Sequence, residues 1–145
     1  MAHSPNRLLG AVFGAVYLLV GLVGFAVTGG LGFAESEGHA LVVFDVNPLH
    51  NVVHLAIGAT LLLAARASVR AAKGANATVG AVYLLVAVLG PFLMGSPANI
   101  LALNGADNLL HLASALLLLV VGLAADRTAR SDRPAGRTAD RAGVA

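Results

Sequence analysis

Four long stretches of mainly apolar residues dominate the chain, and glycine, proline and short polar segments separate them. A helix needs about 20 such residues, each adding about 1.5 Å, to cross the hydrocarbon core of a bilayer. Each stretch reaches or approaches that length. The pattern therefore predicts four transmembrane helices, at residues 8–27, 48–65, 77–94 and 106–125.

Two sequence correspondences relate the first half of this pattern to the second. The heptapeptide GAVYLLV occurs at residues 14–20 and again at 80–86, and NPLHNVVHLA from Asn47 aligns with NGADNLLHLA from Asn104. Chance explains a shared run of leucine and valine, but not two polar patterns in the same order. Each half is then a helical hairpin, and hairpins that start from the same side of a membrane are parallel repeats. The predicted fold is an all-α four-transmembrane-helix bundle built from two parallel helical-hairpin repeats.

Small residues and one tyrosine recur on the first and third predicted helices at the spacing i, i+3, i+7 and i+10, which defines one helix face. They are Gly14, Tyr17, Gly21 and Gly24 in the first helix, and Gly80, Tyr83, Ala87 and Gly90 in the third. Small faces let helices approach closely where lipid supplies no hydrophobic drive. We expect the hydroxyls of Tyr17 and Tyr83 to hydrogen-bond to a neighbouring helix.

Composition agrees with a bilayer as the surrounding solvent. The chain has 145 residues, of which 58% are hydrophobic and only 11% charged, too few charges to cover the surface of a soluble protein. Its nine lysines and arginines lie in three short stretches without interleaved aromatic residues, which argues against a nucleic-acid partner. The absence of cysteine excludes disulfides and thiolate metal sites.

The distribution of positive charge predicts the orientation in the membrane. Arg66, Arg70 and Lys73 lie between the second and third spans, and five arginines follow the fourth. The loops at residues 28–47 and 95–105 contain no lysine or arginine. By the positive-inside rule, both termini and the middle loop are cytoplasmic.

The two ends of the chain are predicted to be short cytoplasmic segments. Residues 1–7 form the N-terminal one. Residues 126–145 mix arginine, aspartate, alanine, glycine and proline without hydrophobic periodicity, which is typical of a disordered tail.

Polar side chains mark the outer ends of the second and fourth predicted helices. They are His50, Asn51 and His54 in the second helix, and Asp107, Asn108 and His111 in the fourth. Residues at i, i+1 and i+4 share a helix face, and exposing that face to lipid is unfavourable. We expect three histidines, one carboxylate and two amides to converge inside the bundle, in the outer half of the membrane.

Several chemistries suit this set of side chains. His50, His54, Asp107 and His111 could bind a divalent transition metal, because histidine pairs at i, i+4 chelate such ions. Alternatively, His54 and His111 could be the axial ligands of a b-type haem, or the imidazoles could line a quinone or proton-relay pocket. In a purely structural alternative, the histidines, Asn51 and Asn108 hydrogen-bond across the bundle.

The motifs G-x-x-Y-L-L-V-G-L-x-G-F, N-P-L-H-N-V-V-H-L-A-I-G, G-x-V-Y-L-L-V and D-N-L-L-H-L together resemble an actinobacterial family of four-helix membrane proteins. The family is labelled domain of unknown function 4383, and the resemblance covers roughly residues 7–125. It implies the four-span fold and a bacterial plasma membrane, and no activity.

Three functions follow from the sequence. The first is a non-enzymatic multi-pass membrane protein with a His/Asn/Asp ligand site, most simply for a metal. The second is a redox membrane protein that binds haem or a quinone. The third is a structural or accessory membrane subunit without a ligand. The lipid bilayer is the expected partner, and self-association or a second membrane protein stays open.

Overall fold

The computed structural model describes residues 4–126, which form four α-helices and one short β-hairpin. The helices are α1 (Pro5–Val27), α2 (Pro48–Ala67), α3 (Val69–Leu93) and α4 (Gly105–Ala124). The strands β1 (His39–Leu41) and β2 (Phe44–Val46) pair antiparallel in the loop between α1 and α2. Each of the four helices is long and apolar enough to cross a membrane. The predicted all-α four-helix membrane bundle is confirmed.

Capping side chains fix where each helix begins. The side chains of Ser4 and Asn47 accept backbone N–H groups at the starts of α1 and α2, and Ser68 does the same for α3. Asn104 and Asp107 form a reciprocal capping box at the start of α4. Each such cap contributes about 1 kcal/mol, so the helix starts follow directly from local sequence.

The third helix is longer than the apolar stretch that predicted it. It begins at Val69 rather than at residue 77, and Ser68 alone connects it to α2. The predicted bounds leave Lys73 and Gly74 in a loop between the second and third spans, and this is wrong because both residues lie inside α3. An interior glycine disfavours a helix by only about 1 kcal/mol, and the cap at Ser68 and the alanines around it outweigh that preference.

The helices pack as two close pairs, α1 with α2 and α3 with α4. A Cβ atom on Gly14 would lie 2.8 Å from the backbone nitrogen of Leu62, and one on Gly80 would lie 2.9 Å from that of Leu119. Side chains larger than hydrogen would therefore push each pair apart. The two glycines hold the same place in the repeated heptapeptide, and the two pairs use them for the same contact.

The packing is that of a membrane bundle, with a small core and an apolar outer surface. A cluster of buried side chains fills the centre, namely Tyr17, Leu61, Val79, Tyr83, Ala115 and Leu118. Large leucines on the outside are more than 60% exposed, including Leu19, Leu22, Leu63 and Leu123. In water such a surface would be unfavourable, and in a bilayer it faces lipid chains.

We define the terminal end of the bundle as the end where α1 and α3 begin, and the hairpin end as the opposite one. At the terminal end, the Nε of Arg7 donates to the carbonyl of Ala65 at 2.7 Å, near the last turn of α2. The Nζ of Lys73 donates to the carbonyl of Ala125 at 2.6 Å, just after α4. Both cations thus satisfy carbonyl groups at helix C-termini, where positive charge is favoured.

Asp126 ties the end of α4 to the start of α1. Its carboxylate accepts hydrogen bonds from the Ser4 hydroxyl at 2.8 Å and from the Asn6 amide at 2.9 Å. Desolvation raises the pKa of the Asp126 carboxyl, but the bonds from Asn6 and Ser4 and the charge of Lys73 outweigh it and hold the pKa below its usual value. The predicted disordered tail begins at this residue, and the rest of it lies outside the described part of the chain.

Candidate functional site

Three histidines meet inside the bundle near its hairpin end. His50 and His54 come from the first two turns of α2, and His111 comes from the second turn of α4. Each offers a ring nitrogen, and these nitrogens lie within 4.8 Å of one another. The ring centroids of His50 and His54 are 4.5 Å apart, and those of His54 and His111 are 6.5 Å apart. All three side chains are at least nine-tenths buried.

Most ring nitrogens of this cluster have no hydrogen-bond partner. Within residues 4–126, both nitrogens of His50 and the Nδ1 atoms of His54 and His111 are buried without one. A neutral imidazole has one donor and one acceptor, and each buried group left unpaired costs about 1–3 kcal/mol. Side-chain hydrogen bonds across the bundle among the described residues therefore leave these four nitrogens unsatisfied.

The sequence pattern explains why these three rings meet. His50 and His54 are four residues apart and so lie on one face of α2. His111 holds the place in the second polar pattern that His54 holds in the first, and α4 presents it to the same interior space.

The two tyrosines cover the cluster on the side of the bundle centre. The ring of Tyr17 stacks on that of His54 at 5.4 Å, and Tyr83 meets His111 edge-on at 4.8 Å. The two tyrosine rings are 5.5 Å apart. The Tyr17 hydroxyl lies near Ser114 of α4 and Tyr83 of α3. Neither tyrosine hydroxyl makes a well-aligned hydrogen bond among the described residues, so the expected bonds to a neighbouring helix stay a prediction. The tyrosines contribute aromatic contacts to the site.

Asp107, the fourth predicted metal ligand, lies at the edge of the site rather than in the cluster. Its carboxylate accepts the backbone N–H of Asn104 at 3.1 Å and that of Asp45 at 3.2 Å. The first bond belongs to the capping box of α4, and the second attaches the hairpin to the same helix end. The Oδ2 atom of Asp107, which the sequence assigned to a metal site, therefore caps α4 and holds the hairpin.

The two predicted amides point away from the histidines. The Nδ2 of Asn51 donates to the Thr28 hydroxyl at the end of α1, and that of Asn108 donates to the Met94 sulfur at the end of α3. The expected convergence of the amides with the histidines is therefore wrong. One residue turns the helix by about 100°, so Asn51 faces α1 when the adjacent His50 faces the interior.

These amides fill space that glycines leave open. The Oδ1 atoms of Asn51 and Asn108 lie where a Cβ would stand on Gly24 and Gly90, respectively. Both oxygens are buried without a conventional hydrogen-bond partner in the described part of the chain. Their role is to join the helices of each pair next to the histidine cluster.

A cavity of about 260 Å³ lies beside the cluster, between α1 and α4 and against the hairpin. Its lining is almost wholly apolar, with His54, Asp107, His111 and Ser114 as the polar exceptions. Ser114 was not among the predicted site residues. Its position three residues after His111, on the same helix face, is the feature of the sequence that could have identified it.

The family described as domain of unknown function (DUF4383) matches residues 7–124. No curated protein and no solved structure matches the chain.

Proposed function

This chain belongs to the family described as domain of unknown function (DUF4383), and we propose that its function is to bind a divalent transition-metal ion through His50, His54 and His111. The observation that carries the proposal is a buried cluster of three imidazoles in which four of the six ring nitrogens make no well-aligned hydrogen bond among the described residues. Imidazole is a common ligand of such ions, and buried polar groups without partners are rare in folded proteins.

The distances within the cluster suit an ion after a small adjustment. Metal–nitrogen bonds of about 2.0–2.1 Å in a tetrahedral site place two ligand nitrogens about 3.3 Å apart. The three nitrogens lie within 4.8 Å of one another before any ion draws them in. Rotations of the imidazoles about their side-chain bonds close a difference of this size.

The ligand set also limits the kind of metal. The chain has no cysteine, and three neutral imidazoles favour zinc, copper, nickel or iron over calcium or magnesium. Three protein ligands leave a fourth position for water or another molecule, as in reactive rather than purely structural zinc sites. Asp107 lies beside His54 and His111 along the cavity and supplies negative charge near the ion.

We place the site in the outer half of a bacterial plasma membrane. Arg66, Arg70 and Lys73 lie at the terminal end of the bundle, whereas the loop at the hairpin end carries Glu35 and Glu37. This asymmetry supports a cytoplasmic terminal end and an external hairpin end. In this orientation, the metal ion reaches the site from the external side of the membrane.

We also propose that the two helix pairs arose by internal duplication. The matched sequence patterns and the matched close contacts, Gly14 with Leu62 and Gly80 with Leu119, support it. Both halves then contribute the same histidine to the site, His54 from the first half and His111 from the second. His50 comes from the first half alone, because Asp107 stands at the matching position of the second half.

Haem is the second predicted cofactor, and the packing favours the metal ion over it. Tyr17 and Tyr83 pack directly on His54 and His111, so no open plane for a porphyrin lies between the two imidazoles. The adjacent cavity of about 260 Å³ is smaller than the roughly 300–1,000 Å³ typical of sites for drug-sized ligands. A structural subunit without a ligand would leave the buried imidazole nitrogens unexplained.

Metal analysis of purified protein tests the proposal. After equilibration with zinc and removal of free ion, we expect about one zinc per chain in the wild type and a near-complete loss in His111→Ala. The matched control is His39→Ala, because His39 lies on the exposed hairpin and its Nδ1 pairs with the Val27 carbonyl, outside the histidine cluster. Occupancy should fall on acidification, since protons compete for the imidazoles.

Two outcomes would contradict the proposal. One is wild-type protein that retains no zinc, copper, nickel or iron above the level of His111→Ala. The other is equal retention by His111→Ala and His39→Ala. Circular dichroism of each variant shows whether a loss of metal accompanies a loss of helix, and His50→Gln provides a second, milder substitution within the cluster. A Soret band that depends on His54 and His111 would favour haem instead.

A further inference from the structure

The contact between α1 and α4 is the loosest place in the wall of the bundle near the site. Each of these helices packs mainly on its own partner, α2 or α3, and they touch one another little. The cavity of about 260 Å³ occupies this seam. Its outer lip is formed by Val12, Val16 and Leu110, which are 51%, 49% and 41% exposed. In a bilayer these side chains face lipid, so the cavity opens sideways into the membrane.

The inner wall of this otherwise apolar cavity contains three polar side chains. They are His54, His111 and Ser114, which are 94%, 94% and 96% buried, and we call them the polar wall of the cavity. An imidazole N–H or a serine hydroxyl donates to a carbonyl oxygen, and each also accepts from a hydroxyl group.

Size and shape favour a ring-shaped head group. An apolar cavity of about 150 Å³ accommodates benzene, and the additional volume here leaves room for a second fused ring or for ring substituents. Phe13, Tyr17 and Phe44 supply aromatic walls against which a flat ring packs. The half-exposed lip between Val16 and Leu110 leaves an exit for an apolar chain into the lipid.

We propose that the α1–α4 cavity binds the head of a membrane quinone, which enters from the bilayer and places a ring oxygen against His54, His111 and Ser114. The shape of the cavity, its aromatic sides and the three polar side chains of its inner wall carry this proposal. His50 belongs to the proposed metal site but does not line the cavity. The two sites are therefore separable by mutation.

The test uses the whole chain in lipid nanodiscs and measures ligand retained above that of empty nanodiscs. The probe is 2-methyl-1,4-naphthoquinone, and 2-methylnaphthalene is the control that has the same rings without oxygens. We expect saturable binding of one quinone per chain, and binding of the hydrocarbon weaker by about tenfold or more, because it leaves the polar wall unpaired.

Two matched substitutions on α1 locate the binding. Val16→Trp fills the lip of the cavity and should reduce quinone binding by about tenfold or more, since an indole takes up much of the available space. Leu19→Trp adds the same side chain at a position that is 62% exposed and outside the cavity, and should bind like the wild type. Ser114→Ala should weaken binding of the quinone but not of the hydrocarbon.

Equal binding by Val16→Trp and Leu19→Trp would overturn the location, and equal binding of quinone and hydrocarbon would overturn the role of the polar wall. A wild type that retains no more quinone than empty nanodiscs would overturn the proposal altogether. The His50→Gln variant separates the two proposals. It should lose metal and keep quinone, so failure of either site is recognisable while the other stands.

Discussion

Gly58 of α2 lies at a close crossing with α1, one turn after His54, and Gly58→Ala tests whether this crossing positions the histidine cluster. A Cβ at this position would lie 2.7 Å from the backbone nitrogen of Leu18 and 2.8 Å from the carbonyl oxygen of Gly14. Both contacts are to backbone atoms, which cannot rotate away as the end of a flexible side chain can. The two helices would have to separate.

The magnitude follows from two opposing effects. Overpacking of a tight contact costs about 1–3 kcal/mol, whereas replacing glycine by alanine inside a helix contributes about 1 kcal/mol of stability. The difference spans about 0–2 kcal/mol, and because both contacts are to backbone atoms we expect Gly58→Ala to lower the free energy of unfolding toward the upper end of that range. The matched control is Gly74→Ala, because a Cβ on Gly74 meets nothing within 4 Å. That variant should gain about 1 kcal/mol from helix propensity alone.

The assay is unfolding of the purified chain from mixed micelles by increasing fractions of SDS, followed by circular dichroism. The same preparations are tested for zinc retention, since separation of α1 from α2 displaces His54. We expect Gly58→Ala to unfold earlier and bind zinc more weakly, and Gly74→Ala to unfold later with unchanged binding. If both glycine variants proved more stable than the wild type, the close crossing would have no role and the packing argument would be refuted.

Two further predictions concern the ends of the bundle. Asp126→Ala should lower the melting temperature at neutral pH, because hydrogen bonds and charge hold the pKa of this carboxyl below its usual value in the folded chain. That stabilisation is present above the unfolded pKa of about 3.9 and is lost as the pH falls through the folded pKa, so melts of variant and wild type should converge in acid and differ at pH 7. Single cysteines test the orientation in a chain that has none, and a membrane-impermeant maleimide should label Val42→Cys on intact cells but Ala67→Cys only after permeabilisation. Labelling in the reverse order would place the hairpin end in the cytoplasm.

The helices were predictable because each depends on a local pattern. The length of the apolar stretches predicted the four helices, and the predicted start of the second one at residue 48 is the start of α2 in the structure. The start of α3 was missed because an apolar stretch indicates only the part of a helix that lies in lipid. The helix itself extends beyond that part, to Val69, where the Ser68 side chain caps it. The hairpin in residues 39–46 was missed because two strands of three residues carry too little alternation to recognise.

The candidate site was only partly predictable, since helix periodicity gives the face of a residue but not the neighbour it meets. Spacing alone paired His50 with His54, and the repeated pattern added His111. The same reasoning assigned Asn51 to the site. Adjacent residues of a helix point about 100° apart, and this rotation turns the Asn51 side chain toward Thr28 beside α1 rather than toward the histidines. The second role of Asp107 was missed for another reason, because a residue three places after an Asn cap can also cap the helix, and here its Oδ2 accepts the backbone N–H of Asn104.

X-ray absorption spectroscopy of the zinc-loaded chain at the zinc edge tests the three-histidine site most directly. Fine structure beyond the edge reports the number of imidazoles and their distance from the ion. We expect three imidazole nitrogens at about 2.0–2.1 Å in the wild type and in His39→Ala, and at most two in His54→Ala. Coordination by oxygen alone, or an identical spectrum from wild type and His54→Ala, would contradict the proposed metal centre.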